Sequence, residues 1–242
     1  MLPRIFIRVN GERQIRLSKE ESHHLTKVLR LDLGAELRVV DPITQASYQA
    51  IIAEKREVIT IKITAAVDEK VRRSPVVTLA MALTKGDHND LVCEKATELG
   101  IENLIFWQAE RSVAKFDNAE HRLERLRRIA LAACKQSGKS FLPGIEIVRD
   151  LKNLIEKLQE LKQADDSLLI CSLAGEAKLA KDLQLNSRAH VVVGPEGDFT
   201  LQEEQQLASN GFSLLSLGPY TLRSETAAIA AISGLQAVMG FK

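Results

Sequence analysis

The stretch Val191-Val-Val-Gly-Pro-Glu-Gly-Asp-Phe-Thr200 decides how the second half of this chain is read. An apolar run ends in a Gly-Pro-Glu-Gly loop, and Thr200 with Glu203 has the spacing of a capping box that opens a helix. Strand, glycine loop and capped helix in succession make the unit of a parallel α/β sheet, where ligands sit beyond the carboxyl ends of the strands. Gly194 and Gly197 would let the backbone approach such a ligand without side-chain bulk. An ordinary tight strand–helix turn has the same signature.

A second segment, Leu217-Gly-Pro-Tyr-Thr-Leu-Arg-Ser-Glu-Thr-Ala-Ala228, has the same form. It follows a strand-like run at 212–217 and precedes a helix expected over 224–239. Arg223 and Glu225 stand at the mouth of an otherwise apolar element, and a carboxylate in a first helical turn is favoured by the macrodipole. The helix beyond is apolar on nearly every side, so it must be buried in the core or against another subunit.

Outward from these loops, strand-like runs at 76–83, 101–107, 145–148, 168–173 and 189–193 alternate with helical patterns. One helix runs to Leu99, with Asp87 as its expected cap and Gly100 at the position after its end; others are expected around 123–135 and 151–161. This alternation predicts a parallel sheet with helices on both faces. The first seventy or so residues differ: strand-like runs at 36–40, 48–53 and 58–63 and a period-2 pattern at Ile5, Ile7 and Val9 surround one helix. Ser18 with Glu21 opens that helix, and Leu25, Val28 and Leu29 give it an apolar stripe. Such a unit closes into a small barrel or sandwich, and the charged, proline-ended stretch 68–75 (DEKVRRSP) is its expected boundary.

Composition narrows the function classes. With 33 Lys+Arg against 32 Asp+Glu in 242 residues, the chain is not a uniformly basic nucleic-acid coat. The balance is local: residues 1–73 carry a net +4 and residues 111–149 a net +5, against a more acidic remainder. Aromatics at 4% argue against a single-strand binder built on stacking platforms. Cys93, Cys134 and Cys171 are far apart and form no CxxC pair, which predicts a reducing, cytoplasmic setting without a zinc ribbon or disulfide framework. The N-terminus lacks the apolar core of a signal peptide, and no apolar run reaches the roughly 20 residues of a membrane span.

Several patterns are rejected. Gly138-Lys139-Ser140 resembles the end of a P-loop, but Ala133 stands where the first glycine belongs and the preceding residues read as helix. Adjacent His23 and His24 point in different directions and make no metal site. His23, Lys27 and Arg30 share a helical face at i, i+4 and i+7, where a solvated face and a phosphate-contacting face read alike. His88 and Glu94 have acid–base side chains, though surface positions for both are commoner.

The ordered set HHLTKVLR (23–30), KGDHNDLVCEKATELG (85–100), ERSVAK (110–115), AACKQSGKSFLP (132–143), VVVGPEGDFT (191–200) and LGPYTLRSETAAIAAI (217–232) resembles the RsmE family of methyltransferases, which modify N3 of a uridine in small-subunit ribosomal RNA. The resemblance spans nearly the whole chain, and its last two motifs are the specific ones. It implies a PUA-like β-barrel RNA-binding domain over 1–72 and a SPOUT-type α/β methyltransferase domain over 73–242, the latter with a deep trefoil knot, an exception to the rule that chains do not knot. It further implies S-adenosyl-L-methionine as cofactor, 16S ribosomal RNA of the small ribosomal subunit as partner, a homodimer, and no metal.

Carried over by motif, Gly194, Pro195, Glu196 and Gly197 form one cofactor loop. Leu217, Gly218, Leu222, Arg223, Glu225, Thr226 and Ala227 form another, with Leu173 as a third contact. Uracil N3 bears a proton, so Arg223 is expected to stabilise the developing anion and Glu225 to assist proton removal or anchor the site. Arg4, Arg8, His23, Lys27, Arg30, Arg111, Lys115, Lys135 and Lys139 are the candidate RNA contacts. A ribosome-assembly protein that has lost the cofactor, and a related knotted methyltransferase acting on transfer RNA, are the alternatives.

Overall fold

A computed structural model describes residues 2–67, 75–115, 117–139 and 141–240. Two compact units emerge, Met1–Val71 with Cys134–Leu142, and Arg72–Ala133 with Pro143–Lys242. The expected boundary at 68–75 lies, except for Pro75, outside the described residues.

In the first unit, β1 (Arg4–Phe6), β2 (Gln14–Arg16), β3 (Glu36–Val40), β4 (Ser47–Lys55) and β5 (Ile59–Val67) form one sheet in the order β1-β3-β4-β5-β2. The β1/β3 pair is parallel and the other pairs are antiparallel. Register shifts between Gln49 and Ala50 and between Ile52 and Glu54 bend β4, as bulges do. The bend lets Ile5 of one edge strand share a core with Leu37, Val39, Ile52 and Ile61, against which Ile15 of the other edge also packs. The sheet thereby curls around its own apolar side chains.

The helix of this unit departs from expectation. Ser18 Oγ accepts the Glu21 N–H at 3.1 Å, as a cap should, but α1 covers only Lys19–His23. A π turn over His24–Val28 follows, in which the Leu29 N–H donates to the His24 carbonyl at 3.0 Å. The extra residue rotates the expected stripe: Leu25 is buried, but Val28 is 60% and Leu29 37% exposed. It also breaks the shared register of His23, Lys27 and Arg30, and Arg30 has φ of 54°. Strand β2, which alternates too briefly to be read, was not expected from the sequence.

The second unit carries a parallel sheet in the order β10-β12-β9-β11-β6-β7-β8, from β6 (Val76–Ala82), β7 (Asn103–Trp107), β8 (Gly144–Val148), β9 (Ser167–Cys171), β10 (Lys178–Leu179), β11 (Arg188–Val193) and β12 (Ser213–Ser216). The helices are α2 (His88–Glu98), α3 (Ala119–Ser137), α4 (Leu151–Leu161), α5 (Leu201–Ser209) and α6 (Ser224–Met239). Leu151, Leu154 and Leu158 of α4 pack on Ile105, Ile170 and Val192 of the central strands, as their helical spacing predicts. Thr200 and Glu203 form the full reciprocal capping box of α5. Asp87 makes no side-chain cap on α2; its carboxylate lies 3.3 Å from Arg125 instead. Buried Asn89 organises that turn, accepting the Thr84 hydroxyl at 2.7 Å and donating to the Thr84 carbonyl at 3.3 Å.

Topology places the functional loops. The chain builds β6, β7 and β8 toward one edge, then crosses to lay β9, β11 and β12 on the other side of β6. After β12 it returns as α6 against β6, β11 and α2. The loops after β9, β11 and β12 therefore emerge side by side. None of the helices among the described residues is long and apolar enough to cross a membrane.

Near the opposite ends of the strands lies a buried ionic cluster. His190 Nε2 sits 2.7 Å from Asp166 Oδ2, and both side chains are almost inaccessible. Arg188 approaches Asp166 and Glu102 at 3.3 Å each. Burial pushes the His190 pKa down, outweighing the opposite pull of Asp166. Burial alone would raise Asp166, but the hydrogen bonds from His190 and the Gln163 N–H, with the charge of Arg188, hold it below the usual carboxylate range. Both shifts have one consequence: the unfolded chain takes up protons that the folded chain refuses, so stability is lost as pH is lowered. The loss from His190 begins as pH drops below the ordinary histidine value of 6.5. His190→Gln keeps a donor at the Nε2 position and cannot be charged there. Its melting temperature should therefore fall less than wild type between about pH 7 and pH 5, as thermal melts at matched ionic strength will show.

Candidate active site

The loops after β9, β11 and β12 wall a cavity of about 450 Å³, within the range of small-molecule sites. Leu173, Val193, Pro195, Phe199, Leu217, Leu222 and Ala227 give it apolar walls, and His88, Glu196, Asp198, Arg223 and Glu225 supply polar groups.

The glycines of the β11 loop serve a purpose the sequence does not reveal. A Cβ on Gly194 would stand 2.9 Å from the Phe199 ring, and one on Gly197 would stand 3.2 Å from Arg111 Cβ. Gly194 is therefore demanded by packing inside the protein, whatever binds in the cavity, and Gly197 is in tight contact with Arg111. Phe199 in turn stacks on Trp107 at the end of β7, with ring centroids 6.2 Å apart and planes inclined by 18°. Arg111 donates to the Gly197 and Phe199 carbonyls at 3.1 and 3.2 Å. Glu203 accepts the Glu110 N–H at 2.9 Å as well as capping α5. The segment after β7 thus clamps the loop from outside. Gly218 of the β12 loop is different: nothing crowds it, but its φ of 118° is one that side-chain-bearing residues rarely adopt.

At the start of α6, Arg223 occupies the N-cap position without a side-chain cap bond, and the buried Glu225 sits in the first turn. His88 Nδ1 of α2 lies 3.2 Å from Glu225 Oε1. Glu94, weighed beside His88 in the sequence, instead pairs with Lys95 at 2.6 Å and takes no part in the cavity. Burial pushes the Cys171 thiol up to about 12, which keeps it protonated at neutral pH.

Nine of the expected cofactor residues line the cavity: Leu173, Gly194, Pro195, Glu196, Leu217, Leu222, Arg223, Glu225 and Ala227. Gly197, Gly218 and Thr226 do not; Gly197 faces Arg111, Gly218 shapes the backbone and Thr226 is exposed. His88, Ser172, Asp198, Tyr220 and Thr221 are additional lining residues. Ser172 and Val193 follow from their positions at strand ends, whereas the pairing of His88 with Glu225 needs the packing of α2 on α6.

The basic candidates divide. Arg8, His23, Lys27, Arg30 and Lys115 are exposed. Arg4 donates to the Gly138 carbonyl, Lys135 pairs with Glu21, and Arg111 clamps the β11 loop. Lys139 lies 4.2 Å over the Phe141 ring, and burial lowers its pKa to about 8. Among the described residues, no group of three or more His, Cys, Asp and Glu side chains is placed to hold a metal ion.

Fold and site together define an α/β enzyme with a small-molecule cavity at the point where the strand order of its sheet reverses. The RNA methyltransferase domain model matches residues 72–236, and the RNA methyltransferase PUA domain model matches 17–63. The Ribosomal RNA small subunit methyltransferase E of Bacillus subtilis (strain 168) is 31% identical over 229 residues, 90% of this chain and 88% of that protein. The chain belongs to the ribosomal RNA small subunit methyltransferase E family. Its structure resembles that of the Neisseria gonorrhoeae Ribosomal RNA small subunit methyltransferase E bound to S-adenosyl methionine, with a TM-score of 0.81, 27% identity and 98% of each chain covered. A Legionella pneumophila protein solved with bound SAM gives 0.79, 29% and 98% of each chain.

The Gly194–Phe199 contact has a measurable consequence. Trp107 is the only tryptophan. Gly194→Ala should push the Phe199 ring off Trp107, alter its fluorescence and cost about 1–3 kcal/mol in denaturant unfolding, the usual penalty of overpacking. Phe199→Leu in the same background should recover part of that loss.

Proposed function

We propose that this chain transfers a methyl group from S-adenosyl-L-methionine to N3 of a uridine in 16S ribosomal RNA of the small ribosomal subunit. The observation that carries the reading is that both glycine–proline motifs meet at one cavity. The cavity suits the cofactor: its apolar walls match a nucleoside and a thioether, and its carboxylates at Glu196 and Glu225 are of the sign a sulfonium attracts. When bound there, the cofactor supplies an activated methyl group.

The chain's own residues must place uracil N3 in line with that methyl and deal with its proton. Arg223, which lines the cavity, is proposed to stabilise the uracil anion, and Glu225 to take the proton. The chain is proposed to divide into an RNA-binding domain over 1–72 and a methyltransferase domain over 73–242. Arg8, Lys27, Arg30 and Lys115 supply the exposed positive charge that meets phosphate, with His23 as a further contact. A homodimer, through the outer side of α6 where Thr226, Ser233, Ala237 and Val238 are exposed, and a site that uses no metal belong to the same reading. The setting is the cytoplasm.

Calorimetry with S-adenosyl-L-methionine, followed by methyl transfer to 16S ribosomal RNA and mass mapping of the product, tests the reading. Expected are stoichiometric binding and one new methyluridine; absence of binding favours the ribosome-assembly alternative. Arg223→Ala and Glu225→Ala should each lower the single-turnover rate by about 100-fold or more, the scale of general acid–base assistance. RNA affinity should fall steeply with salt, and Lys27→Ala should reduce the slope of log K against log salt by about one.

A further inference from the structure

A single nitrogen, Arg111 Nη1, donates to both the Gly197 and the Phe199 carbonyls, at 3.1 and 3.2 Å. These carbonyls bracket Asp198, whose φ of 61° lies in the left-handed region that side-chain-bearing residues enter at a cost. The Asp198 N–H closes the turn on the Pro195 carbonyl at 3.0 Å, and Asp198 Oδ1 accepts the Phe199 N–H at 2.8 Å. Pro195, Glu196, Asp198 and Phe199 all line the cavity. Arg111 does not line it, yet it holds the backbone that shapes the wall.

Arg111 is itself firmly mounted. Ala109 and Ser112 on either side are buried, and they close a tight turn. In that turn Ser112 Oγ accepts the Ala109 N–H at 3.1 Å, and the Ser112 N–H donates to the Ala109 carbonyl at 3.0 Å. The Glu110 N–H donates to Glu203 Oε1 at 2.9 Å, and the other oxygen of that buried carboxylate accepts the Thr200 N–H at 2.9 Å. The Arg111 stem then crosses Gly197, where an added Cβ would stand 3.2 Å from Arg111 Cβ and 3.6 Å from Cδ. A charged donor on such a mount makes the stronger class of hydrogen bond and loses little freedom in making it.

Resting on the methyl-transfer reading above, we infer that Arg111 is a positioning residue for the cofactor and not a phosphate contact. By holding the carbonyls around Asp198, it keeps the β11 loop in its binding shape before the cofactor arrives. Electrostatics alone works the other way. S-adenosyl-L-methionine carries a net positive charge, so removing a nearby cation would by itself tighten binding. Loss of the clamp weakens it, because only the fraction of chains with an ordered loop binds.

Arg111→Met keeps an unbranched stem over Gly197 and removes donors and charge together. Calorimetry should show S-adenosyl-L-methionine binding about 10-fold more weakly, as when the competent loop falls to roughly a tenth of the population. The methyl-transfer rate should recover at saturating cofactor, a rise in KM without a fall in kcat. The slope of log K against log salt for 16S ribosomal RNA should remain that of wild type. Unchanged or tighter cofactor binding overturns the inference. So does a rate loss that persists at saturating cofactor, or a salt slope reduced by about one, the mark of a lost phosphate contact. If Arg111→Met fails to fold in a thermal melt, hydrogen exchange on the wild-type chain decides. The Asp198 amide should be protected before cofactor is added; protection that appears only with cofactor overturns the inference. A wild-type chain that binds no S-adenosyl-L-methionine removes the reading and the inference together. A wild type that binds it no better than Arg111→Met removes the inference only.

Discussion

The site depends on one close contact, the Phe199 ring seated where Gly194 has no side chain. Phe199 also stacks on Trp107 and belongs to the apolar cluster that contains Ile105, Ile170 and Val192. The β11 loop is therefore not a flexible tether over the sheet but an extension of its core. Interiors are close-packed, so a loop keyed into one inherits its rigidity. The Arg111 hydrogen bonds to two carbonyls and the Glu203 bond to the Glu110 N–H then fix the outer side of the same loop. A cavity wall held from both sides presents its backbone and apolar groups without reordering when a ligand arrives, which preserves binding free energy.

α6 links that wall to the chemistry. Ala228, Ala231, Ile232 and Leu235 anchor it in the core, so its first turn is set by packing over its whole length. Glu225 sits in the first turn of α6, where the N-terminal end of a helix offsets negative charge, with His88 Nδ1 3.2 Å from its Oε1. Macrodipole and core packing thus act on one carboxylate, and any change displacing α6 displaces Glu225 too.

Much of this was legible because it is local. The capping box at Thr200 and Glu203, the helix of 224–239 and the strand preceding each glycine loop are all spelled by neighbouring residues, and the structure places them there. What failed was also local, but depended on backbone winding. A stripe at Leu25, Val28 and Leu29 assumes 3.6 residues per turn, and the π turn over His24–Val28 does not wind that way. Asp87 has the right side chain for a cap but a stronger attraction to Arg125. The reason for Gly194 and Gly197 was hidden altogether, because their crowding partners, Phe199 and Arg111, become neighbours only when the loop folds back and β7 lies two strands from β11. His88 was seen as a titratable side chain, but its partner is far along the chain.

The same distinction changes the meaning of the charge. Counted along the sequence, residues 111–149 hold a net +5 that looks like a surface for RNA. In the fold, Arg111 clamps a loop, Arg125 holds Asp87 and Asp90, Lys135 pairs with Glu21 and Lys139 covers Phe141. A cation already satisfied by carbonyls or carboxylates gains little from a phosphate, because it must first give up partners of similar strength. Counterion release scales with phosphates newly neutralised, so the effective charge is smaller than the formal one. Arg8, Lys27 and Arg30 of the first unit and Lys115, Arg127, Arg128 and Arg149 of the second are exposed. With 33 basic and 32 acidic side chains, formal charge alone therefore overstates what is left for a phosphate, because several described cations already hold carbonyls or carboxylates.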